Sequence, residues 1–204
     1  MDTINTTTTP SNLTAEITAT ANAAPEAATT AERDDANIAS IARQAIVDDK
    51  RDVFAYELFD RSVAHNAHTA STDAALLFNA LSYAGAEALV GKKLVFINCT
   101  HESLTGGHLE LIHPDRVVLE VPALPADATP ENIATCLPIF DALRQRGFRL
   151  AFDQNLLRRQ YASWLPMASF VKLDVQTFGL EHAEKLVRFT QTYTRAQIVA
   201  EKIE

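Results

Sequence analysis

The sequence predicts an α/β fold: a mainly parallel sheet with helical crossovers, closing toward a barrel behind an antiparallel first strand pair. Three observations lead there. From Ile38 onward, short apolar runs rich in β-branched residues alternate with helix-like segments, the rhythm of strand, crossover and parallel strand. The first two runs are separated only by the polar Asp48-Asp49-Lys50-Arg51-Asp52, which suits a hairpin loop and antiparallel pairing. Most runs also close on a polar residue, and in a parallel barrel such positions share one mouth.

The expected strands are 41–47 (IARQAIV), 53–59 (VFAYELF), 94–98 (LVFIN), 116–121 (RVVLEV), 148–153 (FRLAFD), 169–174 (SFVKLD) and 196–201 (AQIVAE). A first helix is expected over 72–89, where Leu76, Ala80 and Tyr83 fall at helical spacing. A second starts at Thr129-Pro130-Glu131, which supplies an N-cap, a proline at the first helical position and an early acid. Gly147 ends it, and Pro138 is expected to break or kink it. A third spans about 180–194, with Ala183, Leu186, Val187 and Thr190 on one face.

Composition bounds the rest. The 204 residues, 47% of them hydrophobic, can build one sizeable core, and we divide the chain into a tail, 1–37, and one domain, 38–204. The tail is rich in Thr and Ala, acidic, and almost without large aliphatic or aromatic residues, so disorder is expected there. A net charge of −8 with no compensating Lys/Arg cluster argues against a nucleic-acid partner. No apolar run is long enough to span a bilayer, and Cys99 and Cys136 lack metal or redox spacing, so a reducing cytoplasm is the simplest compartment.

The strand-closing residues are Glu57, Asn98, Glu120, Asp153, Lys172 with Asp174, and Glu201 with Glu204. Four of them, Glu57, Asn98, Glu120 and Asp153, offer the oxygen donors that Mg²⁺ or Mn²⁺ prefers, a set suited to a phosphate ester. The ordered pieces ARQAIVD, AYELFDRS, VFIN, VVLEV, VKLDV and VAEKIE resemble the EAL domain family of bacterial cyclic di-GMP phosphodiesterases, and more narrowly the divergent branch fused to HDOD domains.

That resemblance implies a TIM-type (β/α) barrel and a set of roles. Glu57 would be the signature metal-binding glutamate, and Asn98, Glu120 and Asp153 further ligands of Mg or Mn. Arg61 would meet a phosphate of cyclic di-GMP. Lys172 would orient the attacking water, and Glu201 would stand near the metals. Two cations acting together would activate that water and stabilise both oxygens of the displacement.

The match also breaks. Glu57-Leu58-Phe59 stands for E-A-L, and Asp153-Gln154-Asn155-Leu156 stands where the active family has two aspartates, Phe and Gly. Gln154 thus replaces a second-cation carboxylate, and LLRRQYASWLP replaces a glycine-rich loop. The sequence stops at Glu204, before the family's last strand, so the barrel is expected to be incomplete at its C-terminus, with open edges near 41–47 and 196–201. Three readings stay open: a degenerate, non-catalytic signalling or interaction module, a cyclic di-GMP receptor without turnover, and a weak phosphodiesterase. A protein partner or a homodimer is expected with the first.

Other polar residues have plainer readings. Lys172 suits a strand-end ion pair with Asp174 or Glu120 as well as a ligand role, and Arg61 could pair with Asp60. His65 and His68 lack a third ligand nearby in sequence. Arg158 and Arg159 suit an exposed face, and Trp164 and Phe170 should fill core or interface volume.

Overall fold

The computed structural model describes residues 17–21, 41–60 and 90–203. Its strands are β1 (Ile17–Ala21), β2 (Ile41–Val47), β3 (Val53–Asp60), β4 (Leu94–Asn98), β5 (Val117–Val121), β6 (Arg149–Asp153), β7 (Phe170–Asp174) and β8 (Gln197–Ile203). Two helices are described, α1 (Pro130–Gln145) and α2 (Val175–Tyr193). The expected first helix, Arg61, His65 and His68 lie outside the described residues.

β2 and β3 pair antiparallel around a turn in which Asp48 Oδ1 accepts hydrogen bonds from the backbone N–H groups of Lys50 and Asp52, both at 2.9 Å. β3 through β8 then run parallel, each paired with the next. These seven strands, β2 to β8, are the expected ones, and the sheet they form has β2 and β8 as its edges. β1 lies between those edges, antiparallel to β2 and parallel to β8, and completes a barrel.

β1 corrects the reading of 1–37 as wholly disordered; the rest of that segment lies outside the described residues. Averaged over the tail, composition gives no core. Locally, however, Ile17, Thr18 and Thr20 favour extended backbone, and two sheet edges offer hydrogen-bonding groups on both sides.

Alternation along the strands sorts the residues into two cores. Outward-facing Leu58, Val95, Ile97, Leu119, Leu150, Phe152, Val171 and Ile198 pack beneath the surrounding helices and turns. Inside the barrel, Ile46, Ala55, Phe96, Val118, Ala151, Phe170 and Val199 form an apolar plug in which the rings of Phe96 and Phe170 meet edge to face at 5.0 Å. Two residues further along the same strands come Glu57, Asn98, Glu120, Asp153, Lys172 and Glu201. The period of two therefore stacks a polar layer directly on an apolar one.

α1 begins as expected: Thr129 Oγ1 accepts from the Asn132 N–H at 3.3 Å, and the Asn132 side chain accepts from the Thr129 N–H at 2.9 Å. It continues through Pro138 rather than breaking. Pro138 deprives the Ala134 carbonyl of its partner, but both residues are exposed, so water can satisfy that group. On the opposite face Ile133, Cys136, Phe140 and Leu143 are buried and hold the helix down. Trp164 fills core volume as expected, edge-on to Phe140 at 4.9 Å, and its indole N–H donates to the Ile133 carbonyl at 2.9 Å.

α2 starts earlier than its periodicity suggested. Asp174 caps it by accepting from the Thr177 N–H at 3.0 Å. Gly179, at φ 70°, then separates this first turn from the remainder, a backbone conformation that a side chain would resist. Ala183 and Thr190 are buried on the expected face, with Leu186 and Val187 partly so.

Candidate functional site

The polar layer opens into a cavity of about 360 Å³ at the C-terminal ends of β3 to β8. Glu57, Asn98, Glu120, Asp153, Lys172 and Glu201 all line it, so the structure brings together the predicted site residues that it describes. Neighbouring strands put them side by side: Asn98 is in register with Glu120, and Asp153 with Lys172.

Lys172 is the centre of the arrangement. It is only 5% exposed, and its Nζ lies 2.6 Å from Glu120 Oε2, 2.6 Å from Glu201 Oε1 and 3.1 Å from Glu57 Oε2. Burial alone would lower the ammonium pKa, but Glu120, then Glu57 and Glu201, outweigh it and hold the pKa above its ordinary value. Of the plainer pairings, that with Glu120 is the one formed. Asp174 pairs instead with Lys202, at 2.6 Å.

Three carboxylates around one ammonium leave an excess of negative charge in a dry place. Burial pushes the Glu120 carboxyl up to about 8, with Lys172 opposing the rise and Glu57 adding to it. Glu120 Oε1 is buried without a hydrogen-bond partner among the described residues. Glu57 has its other oxygen satisfied, since Asn98 Nδ2 donates to Glu57 Oε1 at 3.1 Å.

The Asp153 side of the mouth is organised differently. Asp153 Oδ1 accepts from the Asn155 N–H at 2.9 Å and Oδ2 from Asn155 Nδ2 at 2.8 Å, so it caps the turn that follows β6. Gln154 turns away, its Oε1 accepting from the Asp174 N–H at 3.4 Å. Where a glycine-rich loop was missing, residues Arg159–Met167 form a 3-10 stretch anchored by buried Tyr161 and Trp164. Arg158 and Arg159 are exposed.

As placed here, the described side chains present no ready-made site for a pair of divalent cations. Among the described residues no three carboxylate, imidazole or thiol groups converge on a common vacant point. Glu57, Glu120 and Glu201 converge on Lys172 instead. Asp153, expected as a ligand, has both oxygens engaged by Asn155, and Gln154 does not reach the cavity. Among the described residues that line the cavity, Glu120 Oε1 is left as a buried acceptor without a partner.

No protein-family model matches the chain. A cyclic di-GMP phosphodiesterase, CdgJ of Vibrio cholerae serotype O1, is 31% identical over 178 residues, which cover 80% of this chain. This likeness supports an EAL-domain family for the chain. The chain spans only 38% of that relative's length. Solved structures agree on the fold. A manganese and cyclic di-GMP complex of Klebsiella pneumoniae BlrP1 aligns with a TM-score of 0.61 at 22% identity, covering 89% of this chain and 53% of that one. The Bacillus subtilis YkuI protein, in complex with cyclic di-GMP and calcium, aligns with a TM-score of 0.57 at 18% identity, covering 79% and 47%.

Several residues at or beside the mouth escaped sequence reading. Asn155 is one, although an aspartate two residues before an asparagine at a strand end is a recognisable cap signal. Cys99 is another: its thiol lines the cavity, and burial pushes its pKa up to about 12, so it stays protonated and unreactive. Lys202 is the third. It holds Asp174 well below the ordinary carboxylate range, at about 2, a pairing that no spacing rule in the sequence would have suggested.

Proposed function

We propose that this EAL domain is a non-catalytic signalling and interaction module acting in cyclic di-GMP signalling in the bacterial cytoplasm. The observation that carries the reading is Lys172 in simultaneous contact with Glu57, Glu120 and Glu201. Oxygens of the carboxylates that would draw a divalent cation are engaged by an ammonium of the protein itself, although one positive charge does not cancel three negative ones. Phosphodiester hydrolysis asks for a large rate enhancement, which paired cations supply by activating water and stabilising both oxygens of an in-line displacement. The positions of Gln154 and Asp153 support the same reading, because neither offers a free carboxylate on the second-cation side.

The test is direct. Purified protein with cyclic di-GMP and Mg²⁺ or Mn²⁺ is expected to yield no linear dinucleotide. Turnover that disappears in both Glu57→Ala and Lys172→Ala would replace this reading with that of a weak phosphodiesterase; turnover indifferent to both would point to a contaminant.

A second reading, a receptor that binds cyclic di-GMP without turnover, is favoured by the open cavity and the unpaired Glu120 oxygen. The ligand class comes from the relatives, since the BlrP1 and YkuI structures both hold cyclic di-GMP. Calorimetry with cyclic di-GMP, with and without divalent cation, decides it; absence of binding at high micromolar ligand removes the receptor. In either reading the signal passes to a protein partner or a second copy, and light scattering showing only a monomer would weaken the latter.

A further inference from the structure

We propose that the groove between the β4–β5 crossover and α1 is a docking surface for a second copy of this chain, each copy setting its Leu111 into the groove of the other. The proposal deepens the interaction-module reading and rests on it for a role. The surface itself is tested without cyclic di-GMP, so either can fail alone.

The groove follows from how residues 99–116 join β4 to β5. That crossover is three short 3-10 stretches, Ser103–Thr105, Gly107–Leu111 and Pro114–Arg116, and not an α-helix. Paired glycines raise the entropic cost of a continuous helix there, and Pro114 could not continue one. The His108 ring folds back over Gly106 so closely that a Cβ would collide with it. Buried Leu104 and Leu109 pin the turns to the outer core. Between them and the 16-residue α1 lies a groove of about 340 Å³.

Its lining is apolar: Ile139, Ala142 and Leu143, which helical spacing puts on one side of α1, stand across from Leu104. Two charges border it, Glu110 and Arg146, both exposed. Among the described residues neither is ion-paired; the Arg146 guanidinium lies over the Phe148 ring, 5.3 Å from its centre. Leu111 follows Glu110 directly and is 78% exposed, more than any other large hydrophobic side chain among the described residues.

A single exposed leucine is ordinary on a protein surface. Here it adjoins an apolar socket, with one acid and one base at the rim, and that combination is self-complementary. A two-fold axis would place Leu111 of each copy in the other's socket and set Glu110 against Arg146 twice, so every favourable contact is made in duplicate. An unrelated helix could cover the apolar lining, but it would give no reason for the exposed Leu111 beside it.

Sedimentation velocity of the full chain at tens of micromolar, without nucleotide, tests this. The native chain is expected to be a dimer. Leu111→Glu should weaken it at least about tenfold, since a carboxylate would enter an apolar socket without a partner. Glu110→Arg and Arg146→Glu should each be monomeric, because each sets like charges together. Mixed in equal amounts, these two variants should dimerise again, as both contacts of the mixed pair then join opposite charges. All the altered side chains are exposed, and unchanged thermal melts confirm that the variants fold. A monomeric native chain would overturn the proposal, and a dimer indifferent to Leu111→Glu would overturn it by placing the contact elsewhere. Failure of the mixture to associate would overturn the two-fold pairing of Glu110 with Arg146.

Discussion

Lys172→Met removes one ammonium and leaves Glu57, Glu120 and Glu201 facing one another with nearly the same side-chain volume. Deleting one partner of a buried charge cluster costs about 3–5 kcal/mol, because the remaining charges stay desolvated without a counter-ion. The upper part of that range is expected, since the ammonium serves three carboxylates, at 2.6, 2.6 and 3.1 Å. With a urea m-value of about 2 kcal/mol/M, the unfolding midpoint should fall by roughly 2 M. The loss must also depend on pH. Glu120 has its folded pKa raised to about 8, above its unfolded value, so the stability it lends is complete below the unfolded value and is lost as pH rises through about 8. Without Lys172, which opposes the rise, Glu120 holds its proton more tightly still, which makes the variant's deficit smaller at pH 5.5 than at pH 8.5. Urea titrations at both pH values, repeated in the Glu120→Gln background, measure the coupling. A loss below about 1 kcal/mol at pH 8.5, or no coupling to Glu120, would refute the view of Lys172 as the internal counter-ion, since a surface pair is worth no more than that.

Millimolar Mn²⁺ is expected to leave the melting temperature of the native protein unchanged but to raise that of Lys172→Met, where the glutamates are freed; differential scanning fluorimetry reads both. Asp153→Ala should cost about 1 kcal/mol through loss of the cap over Asn155 and leave any cyclic di-GMP binding unaltered, as calorimetry would show. The Asp174 carboxyl, held at about 2 chiefly by its hydrogen bond with Lys202, lends stability above its unfolded pKa that is lost as pH falls through about 2; Lys202→Met should raise its NMR-measured pKa toward the ordinary range. Trp164→Ala should cost about 3–5 kcal/mol in urea denaturation, because the ring is buried against Phe140, Phe152 and Tyr161.

The parts of this fold that were legible from sequence are those fixed by local period. Alternation in VFAYELF or SFVKLD says which residues share a face, and the same alternation carries Glu57 and Lys172 into the barrel above Ala55 and Phe170. What alternation cannot convey is which polar group reaches which. Lys172 could be read as paired with Asp174 two residues away, yet it meets Glu57 from 115 positions earlier. Such partners follow from barrel closure, a property of all strands together. β1 was missed for a related reason: Ile17–Ala21 has no core-forming pattern of its own, and becomes a strand only beside two edges that the rest of the chain provides.

Lys172, Gln154 and Asn155 form one coherent arrangement. A cation bound between carboxylates competes directly with an ammonium in contact with the same oxygens, so weakening the second-cation side favours the ammonium. Gln154 removes a negative charge there relative to the active family pattern, and its amide binds the backbone at the start of α2. Asn155 engages both oxygens of the remaining aspartate as a local cap. With the attraction for cations reduced on that flank, Glu57, Glu120 and Glu201 lose the competitor for Lys172. Reintroducing the lost carboxylate alone should therefore be insufficient: Gln154→Asp would still leave Asp153 capped and the glutamates paired. Only Gln154→Asp together with Asn155→Ala and Lys172→Met is expected to give cooperative Mn²⁺ binding by calorimetry. Tight binding in Gln154→Asp alone would show that the ammonium does not govern the site.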